Sequence, residues 1–166
     1  MTPKQFVDTY LPHAMKVQAS CGLSAIAILT QCALETGWGE HAPGNMMFGV
    51  KDTDGINGNE QLVTTVEYSK SDKLKFPVII SKVLNPVNKL WKYVIKDYFR
   101  KYNAASESFA DHAKFFQQNS RYAKAWTVRH DYNLFFEEIA KAGYATDPNY
   151  AQTLKSVAKI IVPLTK

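Results

Sequence analysis

One carboxyl group in this chain stands in surroundings that suit acid catalysis. Glu35 is the only charged residue between Ser24 and Gly39, and it closes an apolar stretch with helical spacing. Burial among apolar groups and the negative end of the helix dipole both disfavour the ionised form, so we expect a raised pKa for Glu35. A carboxyl group that stays neutral near neutral pH can donate a proton. The simpler alternative is a half-solvated glutamate at a helix end, with no catalytic role.

The other reactive residue types form no recognisable site. The histidines have no metal-ligand spacing, so we expect no metal centre and no cofactor; they are His13, His41, His112 and His130. No serine lies in a nucleophile-elbow string, and no glycine-rich phosphate loop follows a strand. Cys21 and Cys32 are expected to be buried free thiols, because roughly 12 Å of helix places Cys32 too far away for a disulfide.

Five short strings occur in an order that is typical of one family. They are A-L-E-T-G-W-G at 33–39, M-F-G-V-K at 47–51, T-T-V-E-Y at 64–68, N-S-R-Y-A at 119–123 and A-G-Y-A-T-D-P-N-Y at 142–150. With these strings, the chain resembles the glucosaminidase family, glycoside hydrolase family 73, which includes the peptidoglycan-hydrolase domain of the flagellar rod-assembly protein. The resemblance extends from about residue 6 to residue 161.

The resemblance implies a fold, an activity and a set of site residues. The fold would be α+β and mainly α, with a lysozyme-like helical lobe and a small β-hairpin lobe flanking a glycan-binding groove. The activity would be hydrolysis of the β-1,4 glycosidic bond after N-acetylglucosamine in peptidoglycan. Glu35 would be the general acid, Glu67 the second acidic residue, and Tyr144 would support the catalytic centre or bind sugar.

The chemistry of glycoside hydrolysis agrees with these roles. Cleavage needs a proton for the leaving oxygen and a carboxylate that helps water attack or stabilises positive charge. Glu67 lies on a predicted exposed strand and should be ionised, so the environments of Glu35 and Glu67 would push their pKa values apart. Glu60 is a rival second carboxylate, and Glu67 could instead be an ordinary solvated residue. If the substrate's own acetamido group takes part, Glu67 is auxiliary.

Flat aromatic side chains suit the apolar faces of sugar rings. The candidates for binding the glycan are Trp38, Phe48, Tyr122 and Asn149, with Tyr144 beside the catalytic centre. Core packing is an equally good interpretation for Trp38 and Phe48, whereas we expect Tyr122 and Tyr144 to face the groove.

Several helices must position these residues. Thr2, Pro3 and Gln5 make a capping box for a first helix, which Pro12 would kink or end. A central, buried helix should run from about residue 24 to residue 35 and stop at the glycines that follow. Apolar stripes predict further helices that end near 119, cover 131–143 and begin near 146.

The middle of the chain predicts a small β lobe over about residues 50–83. Residues 60–68 alternate and are β-branched, which is typical of a strand, and 74–83 would pair back as a second strand with Pro77 at an edge or bulge. Residues 84–98 form a basic, amphipathic insertion relative to short family members. We expect a surface helix there, although this segment could also cover the groove or bind wall polymer or a partner.

Length, composition and charge limit the class of protein. The 166 residues, 46% of them hydrophobic and 21% charged, are expected to form a single globular domain over residues 1–166. The net charge of +5 favours anionic partners such as cell-wall polymer. Nucleic acid is disfavoured, because no nucleic-acid motif accompanies this mild charge. No apolar run approaches the ~20 residues that span a bilayer, so we expect no membrane insertion.

The sequence alone leaves two questions open: where the protein acts, and which glycosidic bond of peptidoglycan it would cleave. The first residues lack the layout of a Sec signal peptide, so a phage, a secretion system or a fusion partner would deliver the protein to the cell wall in the periplasm or outside the cell. We expect a monomer that binds the peptidoglycan glycan strand. The alternative functions are N-acetylmuramidase cleavage of the lysozyme type and a catalytically inactive wall-binding module.

Overall fold

The computed structural model describes residues 1–166 and divides them into two compact units. The first unit comprises Met1–Phe48 and Tyr102–Lys166 and is helical. The second unit, Gly49–Lys101, holds a three-stranded sheet. This is the mainly α, α+β class that the sequence predicts.

The helical unit is built from six helices joined by short connections. They are α1 Pro3–Cys21, α2 Ala25–Thr36, α3 Ala105–Gln118, α4 Ala123–Thr127, α5 Tyr132–Lys141 and α6 Tyr150–Ile161. Short 3-10 turns add Pro43–Asn45, Ser120–Tyr122 and Val162–Thr165. None of the helices combines the length and the apolar character that a membrane crossing requires.

The first helix begins at the predicted capping box but does not end where expected. The Thr2 hydroxyl accepts from the Gln5 backbone N–H, and the Gln5 side chain accepts from the Thr2 backbone N–H. Pro12 lies inside α1, so of the two alternatives predicted for it, a kink or an end of the helix, the second is wrong. Pro12 removes one backbone donor, but burial of residues on both sides of it keeps the helix in place; these are Phe6, Val7, Ala14 and Val17.

The second helix is the centre of the helical core. Nine of its twelve residues are buried, and it packs against α1, α5 and α6. The Ser24 hydroxyl caps its first turn by accepting from the Ala27 N–H. Cys32 is buried in this helix, whereas Cys21 at the end of α1 is half-buried, and both thiols are free. The prediction of a central, buried helix is therefore confirmed.

The β unit has a different strand order from the one expected. Its strands are β1 Glu60–Ser69, β2 Val78–Leu84 and β3 Trp91–Arg100, in the order β1-β3-β2 with antiparallel pairing throughout. A hairpin of β1 with β2 was expected, and this is wrong: the hairpin joins β2 to β3. Pro77 precedes β2, which is an edge strand with an irregularity between Ile79 and Ser81.

Residues 84–98 are not a surface helix. Most of this segment is β3, the central strand of the sheet, and the compact unit continues to Lys101, beyond the expected boundary near residue 83. A central strand carries apolar residues on both faces, so its pattern is also compatible with a helical stripe. Aromatic and β-branched residues are frequent in this segment, which is typical of a strand. Tyr93 and Ile95 are fully buried on one face of β3.

Candidate active site

Glu35 is the penultimate residue of α2. After Thr36, the chain turns through three consecutive residues with left-handed backbone conformation. Gly37 closes the helix with φ 56°, and Trp38 and Gly39 follow with φ 61° and 84°. The left-handed region costs a non-glycine residue about 1 kcal/mol, so Trp38 must be held there by its neighbours. The Thr36 hydroxyl donates to the Cys32 carbonyl (2.6 Å) and accepts from the Gly39 N–H (2.8 Å), which locks this turn.

The carboxyl group of Glu35 is partly desolvated and still reachable from solvent. Surrounding protein atoms desolvate it and raise its pKa, in the direction that the sequence predicts. The residue nevertheless keeps an exposed surface, so water and solutes can reach it. No hydrogen bond or ion pair within the protein engages its side chain. A proton donor needs this combination of a favoured neutral form and a free, reachable oxygen.

Two tyrosines lie next to this carboxyl group. The rings of Tyr144 and Tyr150 stack at a centroid distance of 5.6 Å, inclined by 18°. Burial raises the pKa of both hydroxyls, and the charge of Glu35 adds to the rise. Tyr144 makes no hydrogen bond through its hydroxyl within the protein, so that O–H is available to a ligand or to Glu35.

A buried chain of hydrogen bonds runs from His112 through Gln31 to the hydroxyl of Tyr150. The Gln31 amide donates to the Tyr150 hydroxyl (3.3 Å), and its Oε1 lies 3.1 Å from Nε2 of His112. Gln31 is fully buried one helical turn before Glu35, and His112 is 1% exposed. Burial lowers the pKa of His112 to about 3, so the imidazole is neutral and carries its proton on Nε2 toward Gln31.

This polar chain is not predicted by the sequence patterns considered above. One signal was present: Gln31 is a polar side chain four residues before Glu35 in an otherwise apolar helix. Tyr150 was noted only as part of a string, and His112 was judged by metal-ligand spacing alone. Its partner on α2 is 81 residues away in the chain, and no local pattern reveals such a pairing.

The side chain of Arg121 stabilises the turn at Ala142 and Gly143, directly before Tyr144. The Arg121 guanidinium donates from Nε to the Ala142 carbonyl (2.5 Å) and from Nη2 to the Gly143 carbonyl (3.3 Å). Gly143 has φ 77°, and a Cβ there would lie 2.7 Å from Nη2 of Arg121. The left-handed backbone favours glycine at this turn, and a larger residue would push the end of the Arg121 side chain away from the carbonyls that it binds.

Two of the candidate sugar-stacking rings are buried. Phe48 is 3% exposed and lies against His112 and Phe109, and Tyr122 is 4% exposed between Phe116 and Tyr144. Their faces are covered by protein, so Phe48 follows the core-packing interpretation, which the sequence allowed equally, and the expectation that Tyr122 faces the groove is wrong. They belong to an aromatic cluster that supports Tyr144.

Trp38 and Asn149 keep surface that a ligand can reach. Trp38 is half-buried, with its ring edge-on to Phe6 at 5.5 Å. Asn149 is exposed at the start of α6, and its side chain makes no capping hydrogen bond. Its backbone N–H donates to the Asp147 carboxylate, which leaves the side-chain amide free for other contacts.

The two acidic candidates of the β unit have different partners. Glu67 accepts from the Lys51 ammonium at 3.3 Å, and the same ammonium lies 3.1 Å from Asp97. Burial lowers the pKa of Lys51, but the hydrogen bond with Asp97 and the charge of Glu67 outweigh it and raise that pKa overall. Glu60 accepts instead from the backbone N–H groups of Asn57 (3.0 Å) and Gly58 (2.8 Å). These backbone bonds lower the pKa of Glu60 and commit it to the loop.

The chain is similar to known proteins over most of its length. The profile of the glucosaminidase family, described as mannosyl-glycoprotein endo-β-N-acetylglucosaminidase, matches residues 11–161. The curated peptidoglycan hydrolase FlgJ of Vibrio parahaemolyticus is 30% identical, over 96% of this chain and 48% of that protein. The chain thus spans about half the length of that relative.

Solved structures extend the likeness to the fold. The glycoside hydrolase domain of Salmonella typhimurium FlgJ has a TM-score of 0.71 at 28% identity, covering 99% of this chain and 91% of that one. A mutant peptidoglycan hydrolase from Sphingomonas sp. A1 has a TM-score of 0.71 at 30% identity, covering 93% and 92% of the two chains. Glu35, Glu67 and Tyr144 lie within residues 11–161, the range that the family profile covers.

Proposed function

This chain belongs to the glucosaminidase family of glycoside hydrolases, and from that premise we propose that it hydrolyses the β-1,4 bond after N-acetylglucosamine in peptidoglycan. We propose Glu35 as the general acid. One observation carries the proposal most directly: the side chain of Glu35 is reachable from solvent and has no hydrogen-bond or ion-pair partner within the protein. The raised pKa of its carboxyl group agrees with the role of a proton donor. The named relatives, which are peptidoglycan hydrolases, support the choice of substrate.

The proton of Glu35 would go to the oxygen that links two amino sugars. Protonation of that oxygen turns it into a good leaving group as the sugar carbon gains positive charge. Donation of the proton leaves Glu35 as a carboxylate, and we propose that the hydroxyl of Tyr144, whose pKa the charge of Glu35 raises, donates a hydrogen bond to it. We therefore propose Tyr144 as a residue of the catalytic centre.

Glu67 is our proposal for the second carboxylate. Its side chain accepts a hydrogen bond from the Lys51 ammonium at 3.3 Å, and a carboxylate at this position could activate water or stabilise positive charge. Glu60 is the weaker candidate, because two backbone N–H groups already occupy one of its oxygens. If the substrate's acetamido group supplies the nucleophile, Glu67 would have the auxiliary role of stabilising charge.

Trp38 and Asn149 are our proposed contacts to the glycan. A half-exposed indole offers a face for a sugar ring, and a free amide can both donate to and accept from sugar hydroxyls. The strand of peptidoglycan would be the macromolecular partner of a monomeric enzyme at the cell wall. The net charge of +5 favours such an anionic partner.

Mass spectrometry of digested peptidoglycan tests the proposal. Purified sacculi are incubated with the protein, and the released muropeptides are reduced with borohydride and sequenced by fragmentation. We expect reduced N-acetylglucosamine at the new ends. Reduced N-acetylmuramic acid would replace the proposed bond with muramidase cleavage, and binding to sacculi without any release would identify an inactive wall-binding module.

A further inference from the structure

Three charged side chains lie on one face of the sheet in the β unit. Glu67 of β1 is opposite Tyr93 of β3, and Asp97 follows on β3 at an even spacing, so strand alternation places both carboxylates on the same face. Lys51 pairs with Phe99 through an isolated antiparallel bridge, which places its side chain on that face too. The strand register therefore assigns one ammonium and two carboxylates to a single face.

The backbone around Lys51 is fixed to β3 on both sides. The carbonyl of Val50 accepts from the Arg100 N–H at 2.9 Å, and the Asp52 N–H donates to the Tyr98 carbonyl at 3.0 Å. These two hydrogen bonds hold the start of the Lys51 side chain against the sheet. Its ammonium therefore reaches the carboxylates from a defined point, and only the side-chain torsions of Lys51 have to be ordered when the contacts form.

The ammonium of Lys51 joins two carboxylates that differ in how firmly they are held. Its Nζ lies 3.1 Å from Oδ2 of Asp97 and 3.3 Å from Oε1 of Glu67. The Asp97 side chain is 19% exposed, and its other oxygen accepts from the Tyr98 N–H at 2.9 Å. The Glu67 side chain is 37% exposed. Asp97 therefore anchors the ammonium, and the ammonium restrains the more exposed Glu67.

Only one oxygen of the Glu67 carboxylate is engaged within the protein. Its Oε1 accepts from Lys51, whereas its Oε2 has no donor. A charge-assisted hydrogen bond to one oxygen selects among the rotamers of the glutamate and leaves the other oxygen available to water or to a sugar. Ion pairs as exposed as this one contribute little to the stability of a fold. The main effect of the contact is therefore on the orientation of the Glu67 carboxylate.

We propose that Lys51, anchored by Asp97, is a positioning residue that holds the Glu67 carboxylate in its reactive orientation. This inference rests on the role of second carboxylate proposed above for Glu67. Lys51 acts through Glu67 and not by contact with the bond that is cleaved. Because a small misplacement of a catalytic group slows the reaction strongly, the loss of Lys51 should lower kcat more than it alters KM.

Steady-state kinetics on dye-labelled sacculi, together with melting curves, test this positioning role. Lys51→Met should lower kcat about tenfold and change KM less than about twofold, because the glycan contacts stay in place while Glu67 loses its restraint. Its Tm should stay close to that of the wild type. Lys51→Arg keeps the positive charge and should recover most of kcat. Lys96→Met, at an exposed lysine on the opposite face of β3, removes the same charge and should keep the wild-type kcat.

A double variant shows whether Lys51 acts through Glu67. Lys51→Met combined with Glu67→Gln should be no slower than Glu67→Gln alone, because residues that act as one unit are not additive. A further loss of kcat in the double variant overturns the inference, as does a Lys51→Met enzyme that changes only KM.

The failure of this inference differs from the failure of the proposed function. If Glu67→Gln loses kcat and Lys51→Met does not, the positioning role is refuted and Glu67 remains the second carboxylate. If Glu67→Gln itself keeps the wild-type kcat, the role proposed for Glu67 is refuted, and the positioning role of Lys51 is refuted with it.

Discussion

The imidazole of His112 stacks on the ring of Phe48, with centroids 3.9 Å apart and planes inclined by only 6°. The same imidazole is hydrogen-bonded to the Gln31 side chain, whose amide donates to the hydroxyl of Tyr150. One buried network thus joins an aromatic residue of the M-F-G-V-K string to the tyrosine that stacks on Tyr144. Phe48 therefore acts on the candidate site through packing and not through contact with sugar.

The first prediction concerns Glu35→Gln. The amide cannot donate the proton that cleavage needs, so peptidoglycan turnover should fall at least about 100-fold. The Tm should stay the same or rise, because the side chain has no partner to lose and the neutral amide is easier to desolvate. Dye release from labelled sacculi and a melting curve measure the two effects. Glu40→Gln is the matched control, since Glu40 is exposed and pairs only with the N-terminus. Rapid digestion by Glu35→Gln would remove Glu35 from the mechanism.

The second prediction concerns the pH dependence of stability at Glu35. Its pKa is higher in the folded protein than in the unfolded chain, so the folded protein holds the proton more tightly. The free energy of unfolding should therefore decrease as pH rises from the ordinary value of a glutamate through the raised pKa. Urea titrations across this range should show a smaller decrease for Glu35→Gln than for the wild type. Parallel curves for the two proteins would contradict the raised pKa.

The third prediction separates the two stacked tyrosines. Tyr144→Phe should lower kcat at least about tenfold with little change in Tm, because its hydroxyl bonds to nothing in the protein. Tyr150→Phe should instead destabilise the fold by about 1 to 3 kcal/mol, because it leaves the buried Gln31 amide without its acceptor. Steady-state kinetics and urea unfolding of both variants test this. A Tyr144→Phe enzyme with wild-type kcat would exclude its hydroxyl from catalysis.

The fourth prediction compares the two glutamates of β1. Glu67→Gln should reduce kcat, whereas Glu60→Gln should retain kcat and lower the Tm. The reason is that the Glu60 carboxylate accepts two backbone N–H groups of the loop, which an amide binds more weakly. Turnover on sacculi and melting curves of both variants provide the test. The reverse pattern, with kcat lost only in Glu60→Gln, would transfer the role of second carboxylate to Glu60.

The fifth prediction concerns acid unfolding. His112 has its pKa lowered to about 3 by burial, while in the unfolded chain it returns to its ordinary value near 6.5. The unfolded state therefore binds one more proton between these values, and His112 should cost stability by about 1.4 kcal/mol per pH unit as pH falls. His112→Gln should show a shallower acid slope than the wild type, even if it is less stable at neutral pH. His130→Gln, at an exposed histidine, should keep the wild-type slope.

Local features of the chain were sufficient to predict the setting of Glu35. The capping residues Thr2 and Ser24, the apolar run of α2 and the glycine at its end act over one or two helical turns. Such short-range interactions are readable from neighbouring residues. The same holds for the edge position of β2, since Pro77 has no N–H to give to a neighbouring strand.

Only the tertiary structure decided which segments meet. Residues 84–98 could be helix or strand by their pattern, and pairing with β1 over its full length made them the central strand. The sequence allowed two interpretations of Phe48 and favoured the groove for Tyr122, and the structure buries Phe48 against α3 and Tyr122 against Phe116 and Tyr144. The structural role of His112 depends on its hydrogen bond with Gln31, which is 81 residues away in the chain. In each case the deciding contact lies far along the chain, where burial and pairing outweigh the local preferences that a sequence displays.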